Sequence, residues 1–229
     1  MISCNSNDNN IIDPINNNSI KLIKVFDGIY TSNYSYDNGV LSQIQTTNNI
    51  NNIVEIEEYT YENSKLKKIY TYDIVSNNGI TNQTIHTYNY SGNIITSSIN
   101  NENGDIYTNS YTYNSSSVLT NRKEFNPNGS LNTSYDFEYY ENGNVKKVID
   151  TNNSIIHTIN YLTYDLRNNF ELLYLTDALI KVNVVSKNNL ISTDNYTYEY
   201  EYNSNNFPTK KTTKLNGVIE EIKTFEYNL

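Results

Sequence analysis

Residues 126–164 read NPNGSLNTSYDFEYYENGNVKKVIDTNNSIIHTINYLTY, and this stretch decides the fold. From Leu131, large apolar or aromatic residues occupy every second position, interrupted once at Thr133, with polar residues between them. A period of two is typical of a β-strand with one buried face. Residues 141–144 favour a tight hairpin turn, and residues 145–149 return as the partner strand. The stretch therefore predicts three strands joined by two turns.

Variants of this stretch recur along most of the chain, with a period of roughly 23 to 27 residues. Each copy carries a Tyr-x-Tyr element or a close variant. The copies are at residues 34–36, 59–61, 88–90, 111–113, 137–139, 161–164, 198–200 and 225–227. A turn follows each copy except the last, and a second turn falls about a dozen residues later. Two turns per repeat imply two strands per repeat, and short turns join antiparallel neighbours.

The sequence thus predicts an all-β fold, a long antiparallel meander of about 15 strands built from hairpin repeats. Strand twist accumulates over so many strands, so the sheet should curl, coil or close on itself. We expect an elongated molecule with a curled or coiled sheet.

One segment breaks the alternation. Within residues 165–189, apolar side chains occur at some spacings of three and four, which predicts a short helical or loop insertion near 168–182. We expect this insertion to pack over the end of the sheet. Residues 1–19 are rich in Asn and aperiodic, which indicates a flexible N-terminal tether. Residues 20–229 are then a single β-repeat domain, with the insertion at about 165–189.

Composition narrows the functional classes. The chain has 23 Tyr, 6 Phe and no Trp, so tyrosine must supply much of the buried surface. The 25 acidic residues outnumber the 16 basic ones and give a net charge of −9, which argues against a nucleic-acid partner. A single cysteine excludes an internal disulfide. No cofactor is expected.

The N-terminal residues bear on localisation. Met1, Ile2 and Ser3 precede Cys4, and a polar Asn-rich stretch follows, as at the tail of a bacterial lipobox. On this interpretation Cys4 is lipidated, and the sequence begins inside a precursor whose signal peptide precedes it. The alternative is an ordinary cytoplasmic start with an incidental cysteine.

The motif Tyr-x-Tyr-[Asp/Asn/Glu]-x-x-Gly-x-[Val/Leu/Ile], as in residues 34–41 and 137–145, resembles the YD repeat of the RHS superfamily. Residues 164–210 resemble the closing segment of Bacteroidota outer-membrane lipoproteins with YD-like repeats. The resemblance implies a lipid-anchored β-repeat protein on the outer membrane, surface-exposed and without enzymatic activity. The chain has too few repeats for a capacious shell around a toxin, so no toxin-delivery role is carried over.

Catalytic and metal chemistry have little support in the sequence. His86 and His157 have no second ligand nearby and are interpreted as ordinary sheet residues on the ring-bearing face. Residues 101–105 loosely resemble a calcium loop but lack its closing bidentate acid, so turn chemistry explains them. No Gly-x-Ser-x-Gly elbow is present. We therefore predict no catalytic residue and no metal site.

Charged residues recur with the repeat and predict a solvated ladder of cross-strand pairs. The acids are Glu55, Glu57, Glu58, Glu199, Glu201, Glu220 and Glu221, and the lysines are Lys65, Lys67, Lys68, Lys146, Lys147, Lys210 and Lys211. Charged edges of this kind also discourage aggregation.

Tyrosine rings are the one candidate binding feature. If some rings lie on an open concave face, they form a stacking platform for sugars or for apolar groups of a partner. The candidates are Tyr88, Tyr90, Tyr111, Tyr113, Tyr135 and Tyr139. The alternative is that these rings are simply core.

These observations favour a non-enzymatic envelope lipoprotein that acts as a structural or protein-interaction module. The first alternative is a surface glycan-binding protein, binding or weakly hydrolytic, that uses the tyrosine rings. The second alternative is a cytoplasmic repeat protein without lipidation. Expected partners are the membrane, through the lipid, and a protein or glycan.

Overall fold

The computed structural model describes residues 20–75, 79–152 and 154–228. Cys4 and the predicted tether, residues 1–19, lie outside the described residues. Among the described helices, none combines the length and the apolar character needed to cross a membrane.

Sixteen strands make up most of the described chain. The first eight are β1 Lys21–Phe26, β2 Tyr30–Asp37, β3 Val40–Asn48, β4 Val54–Glu62, β5 Lys65–Val75, β6 Gly79–Ser91, β7 Ile94–Glu102 and β8 Asp105–Tyr113. The second eight are β9 Leu119–Phe125, β10 Leu131–Tyr139, β11 Val145–Asn152, β12 Ile155–Asn168, β13 Asn188–Thr193, β14 Tyr196–Tyr202, β15 Pro208–Leu215 and β16 Val218–Asn228. The three strands predicted within residues 126–164 are confirmed as β10, β11 and β12.

The strands form one closed barrel. Each strand pairs antiparallel with its sequence neighbours, which confirms the predicted meander. The sheet also closes, because β1 pairs with β16 in a register running from Lys21 opposite Asn228 to Phe26 opposite Thr224. The expected curled or coiled sheet is therefore wrong. Closure pairs the two edge strands, whose backbone N–H and C=O groups an open sheet would leave without partners.

The predicted interruption is confirmed as a short helical insertion between β12 and β13. It contains a 3₁₀ helix, Phe170–Leu173, and one α-helix, α1, Asp177–Val182. The Thr176 hydroxyl accepts a hydrogen bond from the Leu179 N–H and caps the start of α1. The flanking strands continue to Asn168 and resume at Asn188, so the insertion spans 169–187 and is shorter than the predicted 165–189. We call residues 169–187 the plug.

Tyrosine hydroxyls tie successive hairpins together. The second tyrosine of a Tyr-x-Tyr element donates to a backbone carbonyl near the start of the preceding odd-numbered strand. The pairs are Tyr36–Leu22, Tyr90–Leu66, Tyr113–Ile95, Tyr164–Val145 and Tyr227–Pro208, with oxygen–oxygen distances of 2.6 to 2.8 Å. The backbone ladder between these strands begins farther along, for example at Lys68 opposite Thr87 in β5 and β6. Each hydroxyl therefore satisfies a carbonyl that the ladder does not reach.

The same end of the barrel holds much of the apolar core. Among the fully buried side chains are Leu22, Leu41, Leu66, Ile95 and Leu119, which lie near the starts of odd-numbered strands. Even-numbered strands finish at this end with their Tyr-x-Tyr elements, and β12 leads into the plug there. We call this the plugged end, and the other the opposite end.

The outward face carries ion pairs between neighbouring strands. Three of them join Glu138 to Lys147 at 2.7 Å, Glu201 to Lys210 at 2.8 Å and Glu199 to Lys214 at 2.5 Å. A fourth, Lys24 to Glu226 at 3.1 Å, lies across the seam that closes the barrel. These contacts confirm the predicted charge ladder for the outward positions of β10, β11, β14 and β15.

Candidate functional site

The plug closes one end of the barrel and forms a floor within it. Leu179 and Val182 of α1 are 3% and 2% exposed. Both pack into one buried cluster with residues of β5, β6 and β7, namely Leu66, Ile69, Tyr88 and Ile95. The insertion therefore packs at one end of the sheet, as expected, and its apolar side chains contact the inner wall there.

The other side of the plug contacts the opposite wall. The Phe170 ring lies 4.5 Å from the Phe225 ring of β16, measured between centroids, and the Tyr174 ring lies 5.1 Å from the Tyr34 ring of β2. A barrel of sixteen strands is too wide for wall side chains alone to fill. The plug therefore completes the core by contacting walls on both sides.

The six predicted tyrosines share the inner face of β6, β8 and β10, but their surroundings differ. Tyr88, Tyr90 and Tyr111 pack against the plug cluster. Tyr113 donates its hydroxyl to the Ile95 carbonyl. Burial raises the pKa of Tyr113 to about 12, so this hydroxyl stays a donor at neutral pH. Tyr135 and Tyr139 are half-buried, and the use of these rings as a platform stays a prediction.

A cavity of about 350 Å³ lies between the plug and the wall formed by β6 to β9. Asn183 of the plug lines it, as do the rings of Tyr107 and Tyr111. The other polar side chains that line it are His86, Ser98, Asn100, Glu102, Asn109, Arg122, Glu124 and Asn132. Its volume is within the range of small-molecule sites, about 300–1,000 Å³. We call this space the amide cavity because asparagines line both its wall and its plug side.

Hydrogen bonds order the wall of the amide cavity. Asn109 donates through Nδ2 to the Ser98 hydroxyl at 3.1 Å, and that hydroxyl is 3.0 Å from the Tyr111 hydroxyl. Asn100 donates through Nδ2 to Glu102 at 2.8 Å. These contacts fix the direction of each polar group before any ligand arrives.

Arg122 is held on two sides. Its guanidinium forms an ion pair with Glu124 at 3.1 Å and lies 4.2 Å above the centroid of the Tyr135 ring. Stacking and ion pairing together restrict an otherwise flexible side chain.

Two buried polar atoms at the amide cavity lack a hydrogen-bond partner within the described residues. They are the Oδ1 acceptor of Asn100 and the Nε donor of Arg122. A buried unsatisfied polar group typically costs about 1–3 kcal/mol, so these atoms do not stabilise the free barrel. His86 lines the same space, and burial lowers its pKa, which keeps the imidazole neutral at neutral pH.

A second cavity, of about 310 Å³, lies between the plug and the far wall. It is lined by Glu171 of the plug and by Lys211 and Lys223 of β15 and β16. Burial raises the pKa of Glu171, whereas burial and the nearby Lys223 lower the pKa of Lys211. Charges of both signs therefore offset one another within this cavity.

The predicted solvated charge ladder is wrong at Lys211, which lines the second cavity on the ring-bearing face, and at Glu57. This carboxylate accepts a hydrogen bond from the Tyr59 hydroxyl at 2.9 Å and is largely buried, and burial raises its pKa. Glu57 shares strand parity with Tyr59 and Tyr61, so it faces the interior with them. Glu58 takes the outward side instead, where Tyr72 donates to it at 3.2 Å.

The sequence interpretation missed the amide cavity. Asn100, Asn109 and Arg122 sit at ring-bearing positions, since Arg122 is opposite Tyr111 and Asn109 has the same parity as Tyr111. The sequence did contain a signal for this cavity, namely polar residues at strand positions whose side chains share a face with the tyrosines. Asparagine is so common in the chain that its placement in a strand did not stand out.

The two histidines differ in their surroundings. His86 faces the amide cavity, whereas His157 is exposed on β12. In the described parts of the chain, no group of three or more His, Cys, Asp or Glu residues is arranged to hold a metal ion. The absence of a metal site in the whole protein stays a prediction.

No protein-family model matches this chain. No curated protein matches it in sequence either. Among solved structures, a porin-like protein from Bacteroides uniformis aligns with a TM-score of 0.59 and 15% identity, covering 92% of this chain and 96% of that chain. This similarity supports the barrel fold.

Two weaker similarities carry no further conclusion. A porin-like protein from Bacteroides vulgatus aligns with a TM-score of 0.39 and 11% identity, over 90% of this chain and 98% of that chain. A TcdB2–TccC3–Cdc42 structure aligns with a TM-score of 0.36 and 16% identity, over 80% of this chain and 11% of that chain.

Proposed function

We propose that this chain is a non-enzymatic binding module of the bacterial cell envelope, held at the outer membrane by a lipid on Cys4. Its barrel lies in the aqueous phase beside the membrane, and the interior above the plug is open to a ligand or a protein partner. The observation that carries this proposal is the distribution of charge between the two faces of the sheet.

The outward face suits water. A barrel that spans a membrane has an outward apolar band about 25 Å tall and a polar interior. Here Glu199 and Lys214 pair on the outside, whereas leucines and tyrosine rings occupy the inside. Outward aliphatic residues are interleaved with polar ones, for instance Ile99 between Thr87 and Thr108. Charged residues on a lipid-facing surface would cost about 2–4 kcal/mol each at the bilayer midplane.

Two further observations support an envelope location. The Tyr-x-Tyr repeats resemble YD repeats, residues 164–210 resemble the closing segment of Bacteroidota outer-membrane lipoproteins, and the residues around Cys4 resemble the tail of a bacterial lipobox. The fold is similar to that of a porin-like protein from Bacteroides uniformis. The contribution of the barrel is then a rigid, closed scaffold, because each strand is paired on both sides.

A glycan-binding role is the second candidate, and the amide cavity favours it. That cavity combines tyrosine rings with asparagine, arginine and carboxylate side chains, which is the chemistry that recognises sugars. A cytoplasmic protein without lipid is the third candidate, and the experiment below distinguishes it.

The test is lipid labelling combined with detergent partitioning. The chain is expressed behind a lipoprotein signal sequence in a Bacteroidota host, as wild type and as Cys4→Ala, with radioactive palmitate. We expect labelled wild type in the detergent phase and no label on Cys4→Ala. Because Cys4→Ala keeps its apolar signal peptide, the barrel is tested separately on the chain expressed without a signal sequence, which we expect in the aqueous phase. Detergent partitioning of that chain would contradict a water-facing barrel, and unlabelled wild type would contradict lipidation.

A further inference from the structure

We propose that the amide cavity binds a neutral saccharide, which enters from the opposite end and rests on the plug. The ligand is identified by four features of the cavity: the hydrogen-bonding groups that line it, its charge, its aromatic rings and its access.

The hydrogen-bonding groups of the lining suit a ligand that both donates and accepts. The amides of Asn109 and Asn132 offer both donors and acceptors, and the Arg122 guanidinium offers donors. A sugar hydroxyl both donates and accepts, so it can pair with either kind of group. A purely apolar ligand would take these groups out of water without giving them a partner.

The charge of the cavity disfavours anions. The positive charge of Arg122 is already paired with Glu124 at 3.1 Å, and Glu102 adds a further negative charge. An anionic ligand such as a uronate would meet this net negative field. The amides and rings of the lining favour a neutral polar ligand, and the test below includes a cation to compete with it.

The rings and the size fit a small sugar. Tyr107 and Tyr111 line the cavity and offer ring surface to the C–H groups of a pyranose. A space of about 350 Å³ suits a ligand of one or two sugar units rather than a polymer held along its length.

Access is from the opposite end. Asn183 of the plug lies at the bottom, whereas Glu102 lies at the turn that joins β7 and β8 at the opposite end. A chain end of a glycan can therefore enter past Glu102 and stop at the plug. This ligand class deepens the binding role proposed above and rests on it.

The test uses the purified full chain and a panel of neutral sugars, namely glucose, galactose, mannose, xylose, cellobiose, lactose and maltose, with galacturonate and spermidine as charged probes. Binding is screened by saturation-transfer-difference NMR and measured by isothermal titration calorimetry. We expect at least one neutral sugar to bind saturably. Asn109→Ala and Arg122→Lys should each weaken that binding about tenfold, since each changes a hydrogen-bonding group of the cavity lining.

Asn121→Ala is the matched control. Asn121 precedes Arg122 on β9 but faces outward, where it donates to Ser134 and Asp136. Its affinity should equal that of wild type, and thermal melting confirms that every variant is folded. The proposal is overturned if no neutral sugar binds, if a charged probe binds better, or if neither variant of a cavity residue weakens binding. Any of these results leaves the lipid-labelling test intact, so the two proposals fail separately.

Discussion

The plugged half and the opposite half of the barrel are built from the same strands but differ in what fills them. In the plugged half, side chains such as Leu66 and Ile95 are 1% and 0% exposed and pack against α1. In the opposite half, the same strands present His86, Asn100 and Glu102 to a cavity. The repeats therefore form the wall of the barrel, whereas the single insertion determines which part of the interior excludes water.

The physical reason is the width of the barrel. A barrel of about eight strands can be filled by its own side chains, whereas one of about 16 strands leaves an open interior. The repeats alone would therefore enclose water along the whole length. The plug removes that water from one half, where its helix packs against apolar wall residues such as Leu66, Ile69 and Ile95.

The largest expected effect comes from truncating the plug. Leu179→Ala should lower the free energy of unfolding by about 2–5 kcal/mol, because a fully buried leucine is replaced by a cavity. Leu166→Ala is the control, since Leu166 is 96% exposed, and it should change stability by less than about 0.5 kcal/mol. Chemical denaturation followed by circular dichroism measures both. Equal effects would mean that the plug is not part of the core.

The next largest effect on stability is expected at Glu57, whose carboxylate is buried. Burial raises the pKa of Glu57, so the folded state prefers the protonated acid more than the unfolded state does. This contribution is fully present below the unfolded pKa and is lost as pH rises through the folded pKa. Glu57→Gln should therefore raise the melting temperature relative to wild type at about pH 8, with the difference shrinking toward about pH 5.

Glu58→Gln is the control for that pH series. Glu58 lies next in sequence but faces outward. Its difference from wild type should vary less with pH, because the carboxylate keeps its contact with water. If both variants show the same pH dependence, Glu57 is not the group that carries it. Thermal melts at a series of pH values give the comparison directly.

The sequence predicted the local parts of this architecture and missed the long-range ones. Alternation and turns are encoded within each repeat, so the strands around Tyr135 and the meander could be read from the chain. Closure could not, because the pairing of β1 with β16 joins Lys21 to Asn228, and twist permits either a coil or a barrel. A short helical or loop insertion near 168–182 was predicted from the spacing of its apolar residues, but its place inside depends on a barrel width known only after closure.

The candidate site was harder still to predict. Tyr111 was singled out because tyrosines stand out, whereas its neighbours Asn100 and Arg122 look like ordinary sheet residues. Their inward direction follows from register, and a bulge changes register by one residue, as between Thr112 and Tyr113. The alternation of residues along a strand therefore identifies those that face the barrel interior only where the positions of the bulges are known.

The smallest expected effect tests whether the tyrosine hydroxyls that join the hairpins stabilise the plugged half. Tyr113→Phe leaves the Ile95 carbonyl without its 2.7 Å hydrogen bond, in a region shielded from water. It should lower the free energy of unfolding by about 0.5–1.5 kcal/mol. Tyr70→Phe removes an equally short bond, 2.7 Å to Gln83, but on the exposed outer face, where water replaces the partner. It should change stability by less than about 0.5 kcal/mol. Denaturant titration of both variants separates the two positions. A smaller loss for Tyr113→Phe than for Tyr70→Phe would mean that the repeated tyrosine acts through its ring and not through its hydroxyl, because the ring is the part that both variants keep.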